Sequence, residues 1–187
     1  MKPMKTRLRI AHGDLVGALF LFGFGTSAFR RARRELSRGR VSGWTLTLMI
    51  LAFAGSGGAA IGAALAHIWP LPISTTVAVV CGAAVALAGI GVCLAGRLFF
   101  TFRRAWGLEV DVLVTRGVYR WTRNPQVLGW FLIYCGAGFL GRSAAALVIA
   151  ALFMIGCVPW ILAEERALDE RFGEAYRSYC ARTPRFL

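Results

Sequence analysis

Histidine, paired cysteine and acidic residues are all scarce in this chain, and each shortage removes a class of function. The two histidines, His12 and His67, lie far apart. Neither belongs to a cluster of His, Cys or carboxylate residues, so the spacing of a metal site is missing. The five cysteines form no C-x-x-C pair: Cys81, Cys93, Cys135 and Cys157 fall within apolar stretches, and Cys180 lies near the C-terminus. They read as small buried hydrophobes, not as a redox or zinc motif. Asp and Glu number 9 against 22 Lys and Arg, for a net charge of +13. In a soluble chain that balance would suggest nucleic acid, but no nucleic-acid module signature is present. The isolated Gly89-Ile90-Gly91 reads as a helix-packing contact and not as a cofactor loop.

Apolar sequence is what the chain has in excess. Hydrophobic residues make up 57% of it, and the mean hydropathy is +0.61. Several stretches approach the roughly 20 residues that cross a hydrocarbon core of ~30 Å. They recur along the whole chain, so one cleaved signal peptide cannot account for them. This composition is that of an integral membrane protein. The arginines stand in short runs between the apolar stretches, where they set topology and meet anionic headgroups.

The first segment, about Ile10 to Phe29, is the weakest span, because it carries Asp14 and several glycines; lying along the interface is its alternative. A basic block from Arg30 to Arg40 follows. Further spans are expected at about Trp44 to Trp69 and Ile73 to Ala95, joined by a turn at Pro70 and Pro72. Small residues in these spans permit close helix approach in lipid. The polar stretch Arg103 to Asn124 has alternating valines near Val112 that suit a short extended piece. Asn124-Pro125 then reads as a helix start, with a capping residue before a proline at the first helical position. Two apolar helices, about Pro125 to Leu140 and Ser143 to Leu162, are joined by Gly141-Arg142, and Pro159 predicts a kink in the second. From Glu164 to Tyr179 the apolar residues recur at helical spacing, with Gly173 as a possible interruption. The expected fold is all-α: a transmembrane bundle of about five spans with an amphipathic cytoplasmic C-terminal helix.

Polar residues gather at both ends of the last hairpin, at Gly117 to Gln126 and at Glu164-Glu165. Such groups are costly at a bilayer and suggest a pocket. Each also has a plain structural explanation. The acidic pair suits a solvated helix face, Asn124-Pro125 suits a cap, and Tyr119 and Trp121 suit an interfacial belt. Arg120 and Arg123 suit contact with lipid phosphate.

Taken in order, Leu113-Val114-Thr115-Arg116-Gly117-Val118-Tyr119-Arg120, Arg123-Asn124-Pro125-Gln126 with Gly129, Glu164-Glu165 with Leu168, and Phe172-Gly173-Glu174-Ala175-Tyr176 with Tyr179 resemble the isoprenylcysteine carboxyl methyltransferase and phospholipid methyltransferase superfamily. The resemblance covers about Leu113 to Leu187. It implies an S-adenosylmethionine site at the cytoplasmic face, with a lipophilic small molecule or lipid as acceptor. The implied cofactor-binding residues are Tyr119, Arg123, Asn124, Pro125, Gly129, Glu164 and Glu165, with Glu165 also catalytic. Residues 1–102 would supply membrane helices and residues 103–187 the catalytic region. Prenylcysteine enzymes typically carry histidine before this proline and tyrosine two residues after it. Here those positions hold Asn124 and Val127, and asparagine before the proline is closer to phospholipid methyltransferases and several bacterial relatives.

The chemistry of S-adenosylmethionine suits these residue types. A carboxylate can bind its ammonium or ribose diol. The helix start at Pro125 offers N–H donors for its carboxylate, and Tyr119 or Trp121 can stack on adenine. Arg171 is the tail residue expected to orient an anionic acceptor, which requires a bend near Pro159 or Gly173. The expected setting is a bacterial inner membrane, with membrane lipids as neighbours and no nucleic-acid partner. A phospholipid N-methyltransferase, a membrane NADPH-dependent sterol-type reductase and a non-catalytic membrane subunit are the alternative readings.

Overall fold

The computed structural model describes Glu35 and residues 42–98 and 112–187. The segment from Ile10 to Phe29, the arginines of the basic block and residues 99–111 lie outside the described residues. Helix α1 covers Gly43–Leu65, α2 Thr75–Arg97, α3 Pro125–Leu140, α4 Ala144–Phe172 and α5 Glu174–Arg182, with a 3₁₀ turn at Gly117–Arg120. Among the described residues there is no sheet, so residues 112–116 form no strand; one isolated bridge joins Pro70 to Ser143.

Three of these helices, α1, α2 and α4, are long and apolar enough to cross a bilayer. Helix α3 has 16 residues and rises only about 24 Å. The described residues thus hold three candidate spans and one shorter apolar helix of the about five spans expected, and the weakest expected span is not among them. The protein is an integral membrane protein.

Local chemistry starts and stops the helices. Ser42, Ser74 and Ser143 each accept a hydrogen bond from the backbone N–H three residues on, capping α1, α2 and α4. Proline opens α3 as expected. Asn124 stands at the cap position, but its side chain makes no capping bond. The expected break after Leu162 is absent: α4 runs unbroken for 29 residues, through Pro159. Alanine, glutamate, arginine and leucine after Leu162 are good helix formers, and nothing there ends a helix. It stops only at Gly173, whose φ of +52° favours glycine. At 1.5 Å per residue, α4 is about 44 Å long and outreaches the hydrocarbon core. The amphipathic tail is therefore divided between the end of α4 and the short α5.

Both hairpin turns meet at one end of the bundle. Ala144 N donates to Trp69 O (2.9 Å) and Leu71 N to Arg142 O (2.7 Å). Ser143 Oγ donates to Ile68 O (2.6 Å), and His67 Nδ1 donates to Gly141 O (2.7 Å). The other end gathers the start of α3, the end of α4, the 3₁₀ turn and the C-terminal residues.

Helices α2 and α3 run antiparallel along a seam of small residues. Gly82, Ala86, Gly89, Cys93 and Gly96 of α2 face Leu140, Gly136, Gly129 and Pro125 of α3. A methyl group at Gly89 would sit 2.6 Å from Gly129 O, whereas one at Gly91 would meet nothing within 4 Å. The Gly89 packing contact is thus real, and Gly91 has no part in it. Between α1, α3 and α4 the contact is aromatic. The Phe153 ring stands edge-on to Tyr134 (4.9 Å) and to Phe53 (5.2 Å), and Tyr134 Oη donates to Phe53 O (3.2 Å).

Candidate functional site

A cavity of about 420 Å³ opens between α1, α3 and α4 at the end away from the turns. Its volume falls within the usual range of small-molecule sites. One wall is apolar and belongs to α1, from Ile50 through Phe53, Ala54, Gly57 and Gly58 to Ile61. That wall rises about 17 Å along the helix axis. Val127, Trp130 and Tyr134 of α3 and Trp160 of α4 complete it. Ile50, Ile61 and Trp130 are also exposed, so the apolar lining continues onto the outer surface of the described helices. The polar end carries Arg97, Tyr119, Arg123, Asn124, Gln126 and Glu164.

The polar end is built from three pieces of chain. The 3₁₀ turn places buried Tyr119 beside the start of α3. Its carbonyl accepts from Tyr179 Oη of α5 (2.7 Å), a bond across 60 residues of sequence. The C-terminal residues then return to the same place. Pro184 O accepts from Arg123 N (3.0 Å), while Arg185 O accepts from both Thr122 Oγ1 and Asn124 Nδ2 (3.1 Å each). This explains why Asn124 does not cap α3: its amide is engaged by the tail.

The two glutamates at the exit of α4 have different surroundings. Glu165 accepts a fork from Arg185, Nε to Oε1 at 2.9 Å and Nη2 to Oε2 at 2.6 Å. Arg123 Nη1 reaches the same carboxylate at 3.0 Å and also lies 2.9 Å from Cys180 Sγ. Glu164 lines the cavity and makes no hydrogen bond or ion pair among the described residues. Two buried donors of cavity-lining residues are likewise unpaired among the described residues, Arg123 Nε and Gln126 Nε2. Buried polar groups are normally satisfied, and orphans call for an explanation. Burial, and then the nearby Glu164 carboxylate, push the Tyr119 phenol up, so it stays a neutral hydrogen-bonding group at physiological pH.

Of the residues expected at a site, Tyr119, Arg123, Asn124, Pro125 and Glu164 come together around the cavity. Gly129 is buried in the α2–α3 seam, where its missing side chain admits Gly89 and Cys93. Glu165 sits behind Arg123. Arg171 is exposed, with its guanidinium 6.0 Å from the Phe172 ring, and is not among the lining residues. Trp121 is also exposed, whereas Tyr119 faces the cavity. Sequence reasoning passed over Gln126, Trp160, Arg97 and the α1 wall. Gln126 stood within the polar junction, but Trp160 and the α1 residues are indistinguishable in sequence from other apolar positions in a span.

An unpartnered carboxylate fits the ends of S-adenosylmethionine, which offers it an ammonium and a diol. The aromatic wall suits its adenine. No curated protein and no solved structure matches the chain. Residues 75–175 match the phospholipid methyltransferase family, a stretch that begins with α2 and ends just inside α5. With more than half its length matched, the chain belongs to the phospholipid methyltransferase family, membrane enzymes that take their methyl group from S-adenosylmethionine.

Proposed function

We propose that the cavity between α1, α3 and α4 holds S-adenosylmethionine at its polar end and admits a lipid whose amine headgroup is the methyl acceptor. The observation that carries this reading is the pairing of a cavity carboxylate without a described partner, Glu164, with an apolar wall that runs out to the surface of α1. An amine headgroup is drawn to that carboxylate, whereas the carboxylate of a prenylcysteine would meet like charge. Asn124 and Val127, in place of the prenylcysteine pattern, point the same way. Arg97, exposed at the cavity rim, suits a lipid phosphate.

The cofactor supplies an activated methyl group for direct displacement. The attacking headgroup nitrogen must be neutral, so its ammonium form would first give up a proton, to Glu164 or to solvent, and the sulfonium would leave as a neutral thioether. The rest of the protein's contribution is positional. Glu164 holds cationic groups. Arg123 and Gln126 donate from the opposite side, and the first N–H groups of α3 after Pro125 offer a favourable end for a carboxylate. Tyr119 and Trp160 provide flat surfaces for a ring. The apolar wall keeps water from the activated methyl. Residues 103–187 then form most of the catalytic region, with α1 supplying the acceptor's wall.

Arg97, Arg116, Arg120 and Arg123 lie at the cavity end, while Arg142 lies at the turns. By the positive-inside rule this directs the cavity to the cytoplasm, in a bacterial inner membrane. The test is transfer of labelled methyl from S-adenosylmethionine to vesicles containing phosphatidylethanolamine, with a farnesylcysteine analogue in parallel. Label in the phospholipid amine is expected. Label only in the farnesylcysteine analogue would overturn the amine assignment, and binding of NADPH in place of S-adenosylmethionine would overturn the methyltransferase reading of the cavity.

A further inference from the structure

The C-terminal residues contact the cavity's polar end from behind, and one of them reaches both of its sides. The Arg185 side chain forks onto Glu165 at the exit of α4. Its backbone carbonyl accepts from Thr122 and Asn124 at the entry to α3. The preceding carbonyl, of Pro184, accepts from Arg123 N. Arg185 thus links two stretches of chain that both contribute cavity residues.

The fork also determines what Arg123 can do. A carboxylate left to one arginine takes a bidentate pair. Here Arg185 engages both Glu165 oxygens, and Arg123 reaches Oε1 through Nη1 alone. Arg123 Nε remains unpaired among the described residues, and Arg123 is one of the residues that line the cavity. A role in folding alone explains this poorly. The Arg185 side chain is 39% exposed, and ion pairs that open to solvent contribute little stability.

We propose that Arg185 is a positioning residue for cofactor binding: by occupying Glu165 it keeps Arg123 presented to the cavity, an inference that rests on the reading of that cavity as the S-adenosylmethionine site. The test is S-adenosylmethionine affinity of the purified full chain in detergent, for wild type, Arg185→Ala, Arg185→Lys, Arg123→Ala and the double variant Arg123→Ala/Arg185→Ala. Arg185→Ala is expected to raise Kd tenfold or more. Arg185→Lys keeps the charge but not the fork, and should recover only part of the loss. The double variant should bind no more weakly than Arg123→Ala, because Arg185 acts through Arg123. Wild-type affinity in folded Arg185→Ala, or losses that add in the double variant, would overturn the positioning role. If Arg185→Ala does not fold, wild-type affinity in Arg185→Lys overturns it equally. Absence of S-adenosylmethionine binding by wild type at millimolar concentration removes the cavity reading and the positioning role together. Binding by wild type with no effect of Arg185 removes the positioning role alone.

Discussion

Replacing Glu164 with glutamine should weaken cofactor binding and stabilise the protein, and the two effects have a common origin. Glu164 lines the cavity with no hydrogen bond or ion pair among the described residues, and burial, with the neighbouring Glu165 carboxylate second, disfavours its charge. In the absence of ligand its charge is a cost to the fold, while a bound cationic group relieves that cost. A hydrogen bond to a charged group contributes about 1.5–3 kcal/mol, so Glu164→Gln should raise the Kd for S-adenosylmethionine about 10- to 150-fold. The ligand-free variant should melt at the wild-type temperature or higher, by about 2–4 °C per kcal/mol gained. Glu165→Gln should behave differently, because it leaves Arg123 and Arg185 without their shared carboxylate. Breaking a fully buried pair costs about 3–5 kcal/mol; Arg185 is open to solvent and adds little, whereas Arg123 and Glu165 are each 15% exposed, so the expected loss is about 1–3 kcal/mol and falls mainly on the Arg123 pair. Calorimetric titration and thermal melts on the same detergent samples measure both quantities. Unchanged affinity in Glu164→Gln, or a melting temperature lowered as far as in Glu165→Gln, would refute the assignment of Glu164 as the ligand's carboxylate.

Asn124→Ala should lower stability by about 1 kcal/mol through loss of its bond to Arg185 O; Asn124→Ser, a good cap, should not restore it in thermal melts, because the native side chain caps nothing. Gly89→Ala should destabilise by about 1–3 kcal/mol, since its new methyl meets Gly129 O, whereas Gly91→Ala should be neutral or slightly stabilising. Burial pushes the Tyr179 phenol up to about 12, so the fold favours its protonated form. That contribution is complete below about pH 10 and is lost as pH rises towards 12. Melts across this window should therefore show a shallower decline in Tyr179→Phe than in wild type, from a lower starting point because the bond to Tyr119 O is gone.

What the sequence made legible were features with local causes. Pro125 and Gly141 bracket α3, and its residue range agrees with the one read from sequence. The apolar runs located α1 and α2 to within a few residues, and Ser143 marks the start of α4. The end of α4 is not legible in the change from apolar to polar residues after Leu162, because that change marks only where the helix leaves the hydrocarbon core. Gly173, a few residues on, carries the true stop. At the cavity, Tyr119, Arg123 and Asn124 share the polar segment that enters the last hairpin and Glu164 stands at its polar exit, which makes them legible in the sequence. The hold of Arg185 on Glu165 and Asn124 was not legible, because no period or motif joins residues that meet only after the tail folds back. Asn124 shows the same limit: its type predicts a cap, but a long-range acceptor takes the amide instead.

The bonded pair of turns has a mechanical consequence. Four hydrogen bonds pin residues 67–71 to residues 141–144 at one end of the bundle, and the glycine seam leaves α2 and α3 almost no clearance. The compliant direction is therefore the one that swings α1 away from α3 and α4 at the far end, like tweezers hinged at the turns. A lipid tail entering beside Ile50 and Ile61 would spread the arms at the cost of one cross-helix bond, from Tyr134 Oη to Phe53 O, and its departure would let them close.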